Sequence, residues 1–345
     1  MSMIIVKNIC SMAVLSVLLL VFPAAGKCAS AGVQQCLVVT GAERQRVNGT
    51  YIKEGNHHNH PKYVKGVFGI YYKEKTRGWV ISRGDTVFYQ NDKQTAAPPQ
   101  RGWTAVSAPQ APDTKLTVLE ASLLLPDASA DYYLVKGAGK AAVNGIYTPC
   151  GKHETGGDQY GHDQYILYYK GCHSKWMIID GDRNLYKNKT DSKTPPREGW
   201  ETGCGEKNLD PTPTVKRVSK PCLVYSKTEF PRAKTSLYPI DNSTPAVITL
   251  PKVSGKTFSG INGDDFVLDN KVTITGLPAG LMPVITRLDG NHLSVIFSGQ
   301  LINSDDVVPL TFTFDDTAFS DGGASAVMNA RKKDIQIIKI MLNRL

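Results

Sequence analysis

The chain has 345 residues, enough for two to four small domains that each bury a core of their own. With 41% hydrophobic and 21% charged residues its composition is ordinary for a globular protein, while 31 Gly and 20 Pro favour turns and short strands over long helices. The formal charge of +9 comes from Lys and Arg scattered among acids, which argues for a solvated surface and against a polyanion patch, so no nucleic-acid partner is expected.

The first residues read as a secretory signal peptide. Lys7 precedes an apolar run from Ala13 to Phe22, and small residues at Pro23-Ala24-Ala25-Gly26 and Ala29-Ser30-Ala31 offer cleavage after Gly26 or after Ala31. The run is shorter than the ~20 apolar residues of a bilayer-spanning helix, so no transmembrane segment is expected. Lys27 before Cys28 argues against a lipoprotein. The product is expected to be secreted, periplasmic or on the cell surface. Removing Lys7 with 1–26 leaves a charge of +8 and six cysteines; removing 1–31 takes Lys27 as well and leaves +7 and five. Six allow full pairing, and an oxidising destination favours disulfides.

A duplication follows. Gly41-Ala42 and Val47-Asn48-Gly49-Thr50-Tyr51 return 96 residues later as Gly137-Ala138 and Val143-Asn144-Gly145-Ile146-Tyr147. After one extra loop residue the offset becomes 97: Ile70-Tyr71-Tyr72 matches Leu167-Tyr168-Tyr169, Trp79 matches Trp176, and Phe88-Tyr89 matches Leu185-Tyr186. Pro98-Pro99 with Gly102-Trp103 matches Pro195-Pro196 with Gly199-Trp200. β-Branched and aromatic runs broken by Ser82-Arg83-Gly84-Asp85, or by Asp180-Gly181-Asp182, predict a hairpin in each copy. Each module is therefore read as a small antiparallel meander, one over 33–107 and one over 131–206. The order Val-Asn-Gly-x-Tyr, Tyr-Tyr, Trp, aromatic-Tyr, Pro-Pro-x-x-Gly-Trp resembles a small repeated module of multidomain and secreted proteins, notably of protists and algae. That resemblance implies modular architecture and no particular activity.

Pro109, Pro112 and Pro126 mark 108–130 as a linker, with Leu116 to Leu125 a strand or a helix inside it. A second Pro-rich linker is read over 207–242, where Cys222-Leu223-Val224 echoes Cys36-Leu37-Val38 without the rest of the motif. Over 243–340 alternating runs appear. Leu310, Phe312 and Phe314 oppose Thr311 and Thr313, Leu293, Val295 and Phe297 oppose Ser294 and Ser298, and Asp289-Gly290 reads as a hairpin turn. This predicts a β-sandwich. Val272-Thr273-Ile274, Leu277-Pro278-Ala279-Gly280-Leu281 and Leu310-Thr311-Phe312-Thr313-Phe314 resemble the sandwich modules of large bacterial surface and adhesin-like proteins, which implies a spacer or adhesion element. The fold expected is all-β, two meander modules followed by a sandwich.

Candidates for chemistry are few. The matched tryptophans are read as core. In the pairs Tyr71-Tyr72 and Tyr168-Tyr169, strand alternation puts one ring of each outside, where it would stack on a ligand such as a sugar. His57, His58 and His60 have the density of a metal site, although a loop gives them no fixed geometry. The equivalent loop of the second copy, from Cys150 to Gln164, holds His153 and His162. Cys150, Cys172 and Cys204 are absent from the first copy, which suggests a Cys150–Cys172 bridge and, less directly, Cys204–Cys222. Asn48, Asn188 and Asn242 stand in Asn-x-Ser/Thr glycan acceptors. No hydrolase, phosphate-loop, zinc or calcium motif is present, and no catalytic residue or cofactor is expected. The reading is a non-enzymatic binding or adhesion protein whose partner is an extracellular protein or glycan. A carbohydrate-binding protein, or an enzyme or inhibitor with a site between modules, is the alternative. What the two copies share is core, so function within them belongs to what differs.

Overall fold

The computed structural model describes residues 33–106, 115–173, 175–203, 209–232, 240–299 and 307–338. The leader over 1–31, Cys28 and Cys204 lie outside these residues. Within them the chain is all-β, and every helical element is a three-residue 3-10 turn.

The first module comprises β1 (Val33–Thr40), β2 (Gly49–His57), β3 (His60–Lys65), β4 (Phe68–Lys73), β5 (Gly78–Arg83), β6 (Thr86–Asn91), β7 (Thr104–Ala105) and β8 (Thr117–Leu124). They form one antiparallel sheet in the order β7-β6-β5-β4-β3-β2-β1-β8. The Val118 N–H donates to the Gln100 carbonyl at 3.0 Å, bringing the β8 edge back to the loop that leads into β7. The sheet thus rolls around one interior, filled by alternate residues of its strands such as Leu37, Val39, Tyr51, Ile70, Trp79, Ile81 and Val118.

The second module repeats this with β9 (Tyr133–Lys136), β10 (Gly145–Lys152), β11 (Asp158–His162), β12 (Tyr165–Lys170), β13 (Lys175–Asp180), β14 (Arg183–Asn188), β15 (Glu201–Thr202) and β16 (Thr214–Arg217), ordered β15-β14-β13-β12-β11-β10-β9-β16. Val215 donates to the Arg197 carbonyl at 2.9 Å, the counterpart of the first closing bond.

The sandwich has a sheet of β17 (Val224–Tyr225), β19 (Ala246–Thr249), β22 (His292–Gly299) and β21 (Leu281–Arg287), in that order. Its second sheet has β18 (Glu229–Pro231), β24 (Arg331–Ile338), β23 (Val308–Phe314) and β20 (Val272–Thr275). All pairs are antiparallel except β18 with β24. One core joins the two sheets, including Ile248, Leu293, Val295, Phe297, Leu310, Phe312 and Phe314, and the β21–β22 hairpin turns at Asp289-Gly290 as expected.

Two expectations change. The stretch 108–130 is not a linker throughout, because β8 pairs with β1 from Val33↔Leu124 to Thr40↔Thr117. Likewise 207–242 supplies β16 to the second module and β17 and β18 to the sandwich, and Val224 belongs to that sandwich rather than to a third module. The repeat in fact continues through the linkers at offset 97, Thr117-Val118 matching Thr214-Val215.

The modules are also docked. On the outer face of the first, Val38, Leu119 and Ala121 pack against Val284 and Ile296 of the sandwich, and Cys36, Ile52 and Leu123 pack with Val247 and Leu288. The Gly41 N–H donates to Ser298 Oγ at 3.0 Å, and Ser122 N–H to the Ser243 carbonyl at 3.0 Å. Gly66 lies so close that a Cβ there would sit 1.9 Å from the Asn262 carbonyl oxygen. Ser294 and Ser298, the polar side of the β22 alternation, are therefore buried, with Ile296 between them. On the second module Tyr132, Leu134 and Ile146 pack with Cys222, Val224 and Met328.

Candidate functional site

The matched aromatics build the interiors. Trp79, Trp103, Trp176 and Trp200 are buried, and each indole N–H has the same carbonyl partner in both copies: Trp79 on Thr95 (3.1 Å) and Trp176 on Ser192 (3.0 Å), Trp103 on Pro99 (2.8 Å) and Trp200 on Pro196 (2.9 Å). Tyr51 and Tyr147 donate to the carbonyls of Val47 (2.8 Å) and Val143 (3.1 Å). Asn48 and Asn144 each exchange two hydrogen bonds with Ala42 or Ala138 at 2.9 and 3.1 Å. The repeated motif is thus a set of buried polar groups satisfied in place.

The tyrosine pairs alternate across the strands as expected, with Tyr72 and Tyr169 packed on the interior and Tyr71 and Tyr168 outside. None of the four is exposed, however. His57 lies 4.9 Å from Tyr71, His60 stacks on Tyr72 at 4.0 Å, and His153 stacks on Tyr168 at 4.1 Å. Tyr169 packs on Trp176 at 5.5 Å. Stacking of a ligand on open faces of Tyr71, Tyr72, Tyr168 or Tyr169 is not what this geometry offers, because histidine or tryptophan rings already pack against them. His57 and His153 are equivalent at offset 96, so the His-on-Tyr contact belongs to the shared architecture even though the two loops differ in sequence.

The histidine loop is the β2–β3 hairpin, whose turn residues His58 and Asn59 have φ of 48° and 61°. Its imidazoles do not converge as metal ligands. His57 Nδ1 meets the Tyr72 carbonyl at 3.1 Å, His60 Nδ1 meets the His58 carbonyl at 2.8 Å, and His58 lies 3.4 Å from Glu74. Among the described residues no group of three His, Cys, Asp or Glu is placed to hold a metal, so the site expected at His57, His58 and His60 is not formed. The counterpart turn is different in build: His153 N–H donates to the Gly157 carbonyl (2.8 Å), and His153 Nδ1 meets Thr155 Oγ1 (2.9 Å). The side chains exposed at the two tips are Glu54, Asn56, His58 and Asn59 in one copy and Lys152 and Glu154 in the other.

Cys172 and Cys222 are free thiols, as is Cys36, so neither the Cys150–Cys172 nor the Cys204–Cys222 bridge is formed. Cys150 is disulfide-bonded. Cys172 is exposed beside His173, with Sγ 2.8 Å from its Nδ1. Burial pushes the Cys36 and Cys222 thiols up to about 12. The three glycan-acceptor asparagines are also buried and committed. Asn188 Nδ2 donates to the Glu198 carbonyl at 2.8 Å, and Asn242 Nδ2 to the Phe297 carbonyl at 2.7 Å.

Two clefts lie on the seam between the first module and the sandwich, and both reach Leu125 and Asp289. The larger, about 450 Å³, is walled by Pro126, Asp127, Lys252 and His292. His292 Nδ1 sits 2.9 Å from Asp289 and Nε2 2.8 Å from the Pro126 carbonyl, so both ring nitrogens are engaged by the protein. Burial works to raise the Asp289 pKa, but the hydrogen bonds from His292 and from the Asn291 N–H outweigh it and hold the carboxyl below its usual range. The smaller cleft, about 270 Å³, contains Thr50, Lys65, Thr286 and Arg287. No motif points to these residues. The available signal is parity: Lys65 stands on the interior-facing alternation of β3 with Tyr63, where a charge is unexpected, and offset 97 pairs it with His162.

Among the described residues no helix is long and apolar enough to cross a membrane. Comparison with family models, with curated proteins and with solved structures finds no match to this chain.

Proposed function

We propose that the chain is a secreted or cell-surface, non-enzymatic binding protein of the adhesion type, whose partner is an extracellular protein or glycan. The observation that carries this reading is the division of labour within the duplication. Residues common to both copies make the same buried hydrogen bonds, whereas the exposed hairpin tips around His58 and Glu154 differ in length, charge and build. Two copies of one scaffold with different tips suit recognition of two features of one partner, which raises overall affinity through effective concentration. The resemblance of the third domain to adhesin-like sandwiches, and the leader-like start, support the same reading. A row of exposed Trp and Tyr for sugar stacking is absent among the described residues, so a glycan would be held by loop polar groups instead.

The test is a screen of the intact chain against glycan and extracellular-protein arrays. The intact chain is required because an isolated first module would expose Val38, Leu119 and Leu123, now covered by the sandwich. Saturable capture by one class of target is expected; a uniformly silent array would count against the reading.

A further inference from the structure

The smaller seam cleft holds three buried polar groups that the fold leaves without full partners. Thr50 and Thr286 are each 1% exposed, and among the described residues neither hydroxyl has a hydrogen-bond partner. Lys65 is 3% exposed, and its Nζ donates to the Asn48 carbonyl at 2.9 Å. Among the described residues no carboxylate comes within ion-pair distance of it. The nearest acids are engaged elsewhere: Asp264 with Lys271 at 3.6 Å, Asp269 with Arg46 at 3.0 Å, and Asp265 with the N–H groups of Val267 and Leu268. These groups are gathered at one spot. A Cβ on Gly49 would lie 2.6 Å from Thr286 Oγ1 and 3.3 Å from Lys65 Nζ, which places those two groups together, and Thr50 lines the same cleft.

The cleft is also lined by the apolar side chains of Ile52, Val64 and Leu125. Arg287 adds positive potential, while Asp289 is hydrogen-bonded to His292. In the second module Thr50 is replaced by Ile146, which packs on the sandwich. A buried cation without a counter-ion, two unpartnered hydroxyls and an apolar wall are costly in an empty fold and complementary to one kind of ligand.

We propose that this cleft binds a small amphipathic carboxylate, its head group received by Lys65 and the hydroxyls of Thr50 and Thr286 and its short hydrocarbon tail laid against Ile52, Val64 and Leu125. The charge-assisted bonds from Lys65 orient the head group, and the volume of about 270 Å³ limits the tail to a few carbons. Burial lowers the Lys65 ammonium to about 8, against the raising influence of Asp265, with Arg46, Asp264 and Asp269 the other charges facing it. Carboxylate binding therefore weakens as pH rises above about 8, where Lys65 sheds its proton. This site is separate from the hairpin tips, so an array screen and the titration below succeed or fail independently.

The test is calorimetric titration of the intact chain at pH 7 with acetate, butyrate and hexanoate, and with hexanol and hexylamine as matched controls. Affinity is expected to increase along the acid series while both controls stay silent. Lys65→Met and the Thr50→Val/Thr286→Val pair should each lose at least tenfold, and the valine pair should melt no lower than wild type. The valine pair keeps the test decisive if the Lys65 variant fails to fold. Absence of binding by every carboxylate at millimolar concentration, equal binding of the controls, or undiminished binding by the valine pair would overturn the proposal.

Discussion

Lys65 and His162 occupy the same place in the two modules, and each lies against the Val-Asn-Gly segment of its own copy: Lys65 Nζ donates to the Asn48 carbonyl at 2.9 Å, and a Cβ on Gly145, the residue after Asn144, would lie 2.2 Å from His162 Nε2. Both stand where their module meets the sandwich, Lys65 facing Asp264, Asp265 and Asp269 and His162 facing Lys332 and Asp334. The duplication thus holds a titratable side chain at each seam.

At His162 burial lowers the imidazole pKa below 6.5, against the raising influence of Asp163, 3.7 Å away. A base with a depressed folded pKa binds fewer protons folded than unfolded, so its contribution to stability is present above 6.5 and is lost as pH falls toward the folded value. Wild type should therefore lose stability from pH 7.5 to 5.5 faster than His162→Gln, by no more than about 1.4 kcal/mol per pH unit. Denaturant melts of both at several pH values check this; parallel profiles would contradict it.

Lys65 obeys the same sign at higher pH. Its cost is felt in full below about 8 and is relieved as pH rises toward 10.5, where the unfolded chain also sheds its proton. At pH 7 Lys65→Met should be more stable than wild type by about 1–3 kcal/mol, discounted for the Asn48 carbonyl it leaves unbonded, and the gap should shrink by pH 10. Thermal melts at the two pH values read the difference.

Docking of the first module rests on close approach. Gly66→Ala would put a methyl within 1.9 Å of the Asn262 carbonyl at a φ of 55°, and Val38→Asp would bury a carboxylate against Val284 and Ile296. Each should cost at least 2 kcal/mol, roughly the scale of a buried unsatisfied polar group or of severe overpacking. Calorimetry should show a lowered or split transition, and limited proteolysis should cut after Leu124 sooner than in wild type.

The thiols should separate cleanly. Cys172 is exposed and should alkylate within minutes in the native protein, whereas Cys36 and Cys222 should react only after unfolding, because burial raises both to about 12. Non-reducing peptide mapping should place Cys150 in a cross-linked peptide and Cys172 outside it.

How far these features could be read beforehand varies with the range of the interaction that sets them. The copies, their hairpins and the burial of Trp79 and Trp176 follow from local pattern and from matched spacing. The strand Thr117–Leu124 does not, because its Pro-flanked sequence acquires an identity only by pairing with β1, 77 residues away at Thr40↔Thr117. Ser294 and Ser298 alternate like a solvent face and are buried only because another module covers them. The same holds for the cysteine pairing and for Asn242, whose acceptor motif says nothing of the Phe297 backbone it clamps. Thr50 and Thr286 carry no motif, and their cleft exists only once two domains meet.

The most direct measurement of the proposed recognition role is the affinity of the intact chain for a target captured on the arrays, compared with that of Glu54→Ala/Asn56→Ala/His58→Ala and of Lys152→Ala/Glu154→Ala. These side chains are exposed at the hairpin tips, away from the module interiors, so folding should be unchanged. Each triple or double variant should weaken binding at least tenfold with no change in melting temperature. Full affinity in both variants would contradict the assignment of function to what differs between the copies.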